Sequence, residues 1–432
     1  MSDVGSTFVT LKPLPLAERR AVGGPVSRRL LTAYFAVALA GWLAATAVGI
    51  AAAPDLASGD PLARAPVAAV HLVALCVLPF AVSGASFHLL PVMLRNELPS
   101  QRALWVALPL LLGGVLVAIG LGRDAKTLVW VGAAAVTIGL AIVLFELLTL
   151  VVRAPSGRTL IASRFGVALS CAHVVVALFL GAFIFHGPSS SLSYWHWLLI
   201  HLHVALLGWI ALLILTVGRN LGPMLAQAPA APRRSFPAEE LGLVAGLWVL
   251  VAGLASNERA LTVAGGVVIV LALGRFAALM LRVARSRRGP FEAPLAHLLA
   301  GGFFLAQAAG FGLAAAAGVG GVRLVSAYVV FLLVGWAGGV VVGHVGKLFS
   351  LSLWVWWPPG PRPKQAQLYP RRLGLAEAIV FAAGVEALAL GVLLGVTPVA
   401  CAGAILLFVS AVATVAGTAF TWGRRAPADG PR

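Results

Sequence analysis

Long apolar runs separated by short polar interruptions set the pattern of this chain. A helix that crosses a membrane needs roughly 20 apolar residues. Runs of that length, bounded by charge, Gly or Pro, number twelve, with cores at 30–53, 66–94, 103–121, 127–152, 160–185, 194–218, 239–256, 260–283, 294–317, 322–350, 373–396 and 398–422. The pattern predicts an all-α polytopic membrane protein: one twelve-helix membrane domain over 30–422, a basic tail over 1–29 and a short tail over 423–432.

A coarse internal repeat overlies the twelve runs. His71 to Pro91 in the second aligns with His203 to Pro223 in the sixth, four spans later. In the tenth, Gly335-Trp336 echoes Gly208-Trp209, with Val330 where the sixth has His203. This period predicts three pseudo-repeated four-helix units, not the six-plus-six halves common in twelve-span transporters.

Composition narrows the class. Of 432 residues, 60% are hydrophobic and 10% charged, with a mean hydropathy of +0.99, too little polar surface to cover a soluble globule. The net charge of +17 is spread over short loops and the termini, which argues against nucleic acid. Arg95, Arg102, Arg153, Arg158, Arg164, Arg233, Arg234, Arg282, Arg285, Arg287, Arg288, Arg362, Lys364, Arg371 and Arg372 follow even-numbered spans, whereas the odd loops hold only Arg64, Arg123, Lys126, Arg259 and Arg323. The positive-inside rule then predicts cytoplasmic termini and a bacterial-type inner membrane, with the bilayer as surroundings. Cys76, Cys171 and Cys401 stand singly, with no CxxC and no CxxCH, so neither a disulfide nor covalently attached haem is expected. No cleavage pattern follows the first apolar run, and the N-terminal segment reads as a cytoplasmic tail.

Polar nitrogen ligands are costly in hydrocarbon, so histidines at matching depths imply a bound haem or metal. His71 falls about five residues into its run and His203 somewhat deeper, which puts both in the outer third of the bilayer at about 1.5 Å per residue. There they can ligate one haem iron from opposite sides. His201 is turned about 200° from His203 on the same helix, so the two rings serve different pockets. His88, about 25 Å along the helix from His71, belongs to the cytoplasmic side with His297 and His344, where the alternatives are a second metal site or interfacial histidines bonded to backbone or lipid. His173, near the middle of its span, is a candidate second-site ligand, whereas His186 and His196 belong to an external loop.

The segments AAVHLVALCVLPFAVSGASFHLLPVML and HLHVALLGWIALLILTVGRNLGPML resemble two helices of the haem-copper oxidase catalytic subunit. The second is similar to the histidine-x-histidine helix of C-type oxidases and nitric oxide reductases. In kind the chain is most similar to the NnrS family, twelve-span membrane proteins that contain haem and copper and are linked to nitric oxide stress. This resemblance implies haem b with His71 and His203 as axial ligands, His201 as a ligand of a second haem, copper as a further cofactor, and a respiratory electron donor or nitric oxide as partner. Spans seven and eight contain no histidine, so the superfamily's oxygen-reducing copper site is not expected.

Glu146, Glu377, Glu386, Gln307, Arg219, Asn220, Arg275 and Lys347 are the remaining polar groups in or beside spans, suited to a proton path, to haem propionates, or to polar contacts between helices. Two other readings stand beside the haem protein: a proton-coupled secondary transporter, and a protein that hands metal or haem to a respiratory complex. Nucleophilic triads, phosphate-binding glycine loops and zinc motifs do not stand out.

Overall fold

A computed structural model describes residues 26–94, 96–154, 161–187, 192–229, 237–355, 357, 363 and 367–423. The N-terminal tail up to residue 25, Arg95, Arg158, Arg233, Arg234, Arg362, Lys364 and the C-terminal tail from residue 424 lie outside the described residues. Within them, twelve helices are long and apolar enough to cross a membrane: α1 (Arg28–Ser58), α2 (Arg64–Leu94), α3 (Gln101–Arg123), α4 (Lys126–Arg153), α5 (Ile161–His186), α6 (Tyr194–Ala226), α7 (Ala238–Ser256), α8 (Arg259–Arg285), α9 (Ala293–Ala316), α10 (Val322–Val355), α11 (Arg371–Leu394) and α12 (Thr397–Gly423).

Each predicted run is one helix, and the differences lie at the ends. Helix α6 continues past Arg219, a cation that marks a boundary in the sequence, because its guanidinium pairs with Glu239 of α7 at 2.7 Å. Helix α1 runs through Pro54 and stops at Gly59, whose φ of 92° is left-handed and whose N–H caps the carbonyls of Asp55 and Leu56.

The four-helix period is built into the packing. In the most apolar stretch of each helix, 56, 67 and 78% of residues are buried for α2, α6 and α10, against 22–50% for the other nine. The second helix of each unit is therefore interior. Helices α1, α5 and α9 pack on α2, α6 and α10, and α3/α4, α7/α8 and α11/α12 form the outer pairs. Contacts of α4 with α5, α8 with α9 and α12 with α1 close the ring.

All three interior helices widen into a π-helical stretch at corresponding heights: Val73–Val77, Val204–Ala211 and Val330–Gly338. One extra residue in a helix rotates everything beyond it by about 100° relative to an uninterrupted α-helix, so the two ends of each interior helix present independently set faces. In α6 the stretch begins directly after His203.

Close approach fixes the α5–α6 contact. A Cβ at Gly208 would meet the His173 ring 2.6 Å away, so only glycine lets α5 seat there. Gly208→Val is expected to cost about 1–3 kcal/mol by overpacking. An SDS-unfolding titration in detergent checks this, and an unchanged midpoint would count against the contact.

Candidate functional site

Four membrane histidines share one local device. His71, His173, His203 and His344 each direct Nδ1 at the carbonyl four residues earlier, Val67, Leu169, Leu199 and Val340, at 2.6–2.8 Å. A carbonyl only accepts, so Nδ1 carries the proton and, in the neutral ring, Nε2 keeps its lone pair. The helix backbone thereby orients each ring and fixes the tautomer, as carbonyl partners do for metal-binding histidines.

The opposed facing derived for His201 and His203 is what the fold realises, but their partners differ from the expected pairing of His71 with His203. His201 packs against α5, where a Cβ at Gly181 would lie 3.2 Å from its Cε1, and it engages the backbone of Ala177. It also lies within electrostatic reach of His71. The Nδ1 of His201 is buried and makes no hydrogen bond. His203 turns instead to α10, where the Tyr328 hydroxyl donates to its Nε2 at 2.9 Å and the two rings stack 5.9 Å apart. The α6 histidine within electrostatic reach of His71 is therefore His201, while α10 occupies the face of α6 that carries His203.

His173 is already satisfied. Its Nε2 accepts from the indole N–H of Trp248 in α7 at 3.2 Å. Trp248→Phe is expected to cost about 1–3 kcal/mol by leaving this buried nitrogen unpaired. Equilibrium unfolding in detergent reads the difference, and a change below the error would assign the indole no role.

The expected second metal site resolves differently. His297 binds the Glu377 carboxylate through Nε2 at 2.8 Å, and the Ser410 hydroxyl donates to the other carboxylate oxygen at 2.7 Å. His344 is an electrostatic neighbour of His297. Among the described residues no three His, Cys, Asp or Glu side chains gather as metal ligands, so His88, His297, His344 and His173 do not form a multi-ligand centre there.

Most of the other polar groups are spent on contacts between helices. Glu146 of α4 accepts the Ser100 N–H at the start of α3 at 2.7 Å, Glu239 holds both Arg219 and Arg275, and Lys347 of α10 pairs with Glu292 at 2.5 Å. Gln307 of α9 donates to Glu386 of α11. Asn220 only bonds the Thr216 carbonyl of its own helix, at 3.4 Å.

Tyr328 and Trp248 are the site residues that the sequence reading misses. For Tyr328 a signal existed: the Gly208-Trp209 and Gly335-Trp336 pairs are offset by 127 residues, and the same offset places Tyr328 at the position of His201. No comparable signal marks Trp248, one of twelve tryptophans. Compared with known protein families the chain matches none, and no curated protein matches it.

Proposed function

We propose that this is an integral membrane haem protein that holds haem b where α2 meets α6, with His71 and His201 as the ligand pair, and that it serves electron transfer or nitric oxide binding. One observation carries this reading: Nδ1 of His201 is buried and unpartnered within electrostatic reach of His71, whose own Nδ1 bond leaves Nε2 as a lone pair. A buried nitrogen without a partner costs about 1–3 kcal/mol, and ligation to iron removes that cost. When bound, haem supplies one-electron chemistry, or a gas-binding position where one axial site stays open.

The protein's own part is to orient and to insulate. Val67 holds the His71 ring, and Gly181 gives the His201 ring room against α5. Tyr328 keeps His203 paired on the opposite face of α6. The resemblance to haem-copper oxidases and the NnrS family belongs to the same proposal, as do cytoplasmic termini and an inner bacterial membrane. Copper, as the resemblance implies it, has no assembled histidine cluster among the described residues to support it. Oxidised and dithionite-reduced visible spectra of the purified protein test the haem directly. A protein that stays colourless after haem supplementation overturns the reading.

One observation favours proton-coupled transport as a second reading. Glu377 and Glu386 lie nine residues apart on α11, about 13.5 Å, each paired to a side chain of α9. Such a file of intramembrane carboxylates suits proton movement. Proton flux into vesicles that Glu377→Gln abolishes, in a protein without haem, would move the assignment there.

A further inference from the structure

Between α8 and α9, at the junction of the second and third units, lies a cleft of about 210 Å³. Its walls are largely aliphatic, with Val270 and Leu273 on α8 and Leu305 and Leu313 on α9. Its only polar groups, the side chains of His203 and Tyr328, already bond each other. The cleft reaches the outer surface of the helical ring at Gly274 and Ala306, both exposed. At Gly274 and Gly302 a Cβ would find nothing within 4 Å, so it is open at that level. Nearer the start of α8 the helices touch, and a Cβ at Gly266 would lie 3.0 Å from Leu313 Cδ2. The lining stops at Ala277 on α8 and at Gly302 on α9, so the cleft has no mouth beyond them, toward the end of α8 and the start of α9.

A cation stands over the other end. Arg259 is the first residue of α8, and the lining residues Gly266, Val270 and Ala277 all lie within about 20° of its face of the helix. Its guanidinium reaches across to α9: a Cβ at Gly318, just past the lining residue Ala316, would lie 2.7 Å from it. Arg259 is exposed and makes no ion pair among the described residues. Depth selects what fits below it. Gly274 lies about 22 Å along α8 from Arg259, and Gly302 lies about 21 Å along α9 from Ala316. A bilayer is about 40–45 Å thick with its headgroups, so one lipid spans about 20–22 Å from phosphate to chain end. A phosphate at Arg259 therefore sets a chain end at the level where Gly274 and Gly302 leave room. A helix from a second copy, about 10–12 Å across, is too wide for a cleft whose walls touch at Gly266 and Leu313.

We infer that the α8–α9 cleft holds one phospholipid, its phosphate paired with Arg259 and one acyl chain running over the Gly266–Leu313 contact to end between Gly274 and Gly302. The chain asks for no polar partner, which suits a lining whose two polar side chains are spent on each other. Helix α9 has the smallest buried share of the twelve, 22%, and the lipid takes the place of protein against it. The inference is independent of the haem reading, since neither Arg259 nor the cleft glycines belong to the proposed ligand pair.

The test uses the full chain in mild detergent, titrated by native mass spectrometry with three probes. These are palmitoyl-oleoyl-phosphatidylglycerol, dihexanoyl-phosphatidylglycerol with the same headgroup on short chains, and palmitoyl-oleoyl-glycerol without the phosphate. The first long-chain phosphatidylglycerol is expected to bind at least about tenfold more tightly than the short-chain one, whose chains end above the open glycines. Removing the phosphate, or Arg259→Gln, is expected to weaken that first lipid about fivefold, and high salt should erase the effect of the variant. Gly302→Leu and Gly274→Leu, which fill the open end, should each weaken it at least about tenfold with the size-exclusion profile unchanged. Short chains binding as well as long ones, wild-type affinity in both leucine variants, or wild-type affinity in Arg259→Gln at low salt would each overturn the inference. A wild-type dimer that the leucine variants dissolve would overturn it too, giving the cleft to a second copy. Because Arg259 is exposed, its glutamine variant decides the matter even where a leucine variant does not fold.

Discussion

Purified in mild detergent, the His71→Ala and His201→Ala proteins are expected to lose the reduced b-type absorption band expected of the wild type, with haem content down by at least about tenfold. Loss of an outer-sphere partner of a metal ligand already costs about 10–100-fold in affinity, and loss of the ligand itself costs no less. The His203→Ala protein is expected to keep the band, because Tyr328, and not His71, is the partner of His203. That contrast separates the ligand pair proposed here from the pairing of His71 with His203 that the sequence suggests. A band lost in His203→Ala and kept in His201→Ala would reverse the assignment of the span-six ligand. Nitric oxide added to the reduced wild type decides function within the haem reading: a spectral shift means an exchangeable axial position, and none means a six-coordinate electron carrier.

The second large effect is expected at the opposite end of the helices. His297→Leu should destabilise the protein by about 3–5 kcal/mol, because it leaves the Glu377 carboxylate buried without the imidazole, held by the Ser410 and Thr414 hydroxyls alone. The Glu377 side chain is 4% exposed, so water cannot replace the imidazole without local opening. Replacing both members, His297→Leu with Glu377→Leu, is expected to recover most of the loss, since an apolar pair of similar volume avoids the desolvation cost. A double-variant cycle by SDS titration in detergent measures the coupling. A single variant as stable as wild type would show that Glu377 is held by other groups, and it would also weaken the proton-coupled reading, which needs Glu377 to depend on its partner.

Around His297 the carboxylate, the Ser410 hydroxyl and Nε2 satisfy one another across three helices, α9, α11 and α12, and Nδ1 is left buried without a hydrogen bond. Around His201 Nδ1 is left over in the same way, although the same helix provides a satisfied histidine two residues later.

The twelve spans were legible in the chain because the requirement is local: hydrocarbon demands about 20 apolar residues whatever the neighbours do. The opposed aim of His201 and His203 was legible for the same kind of reason, since about 200° of rotation follows from two residues of helix. The four-span period could be read from His71 to Pro91 against His203 to Pro223, and α2, α6 and α10 are the interior helices it marks. Which ring meets which partner was not legible. Rotation within one helix fixes the angle between two side chains but not the helix that each one faces, and the π-helical stretch beginning at Val204 resets that angle for everything beyond it. Only the packed ring brought His201 within electrostatic reach of His71, gave His203 to Tyr328, gave His173 to Trp248, and left a cleft between α8 and α9, because those pairs join residues from 75 to 130 positions apart whose meeting depends on how all twelve helices close.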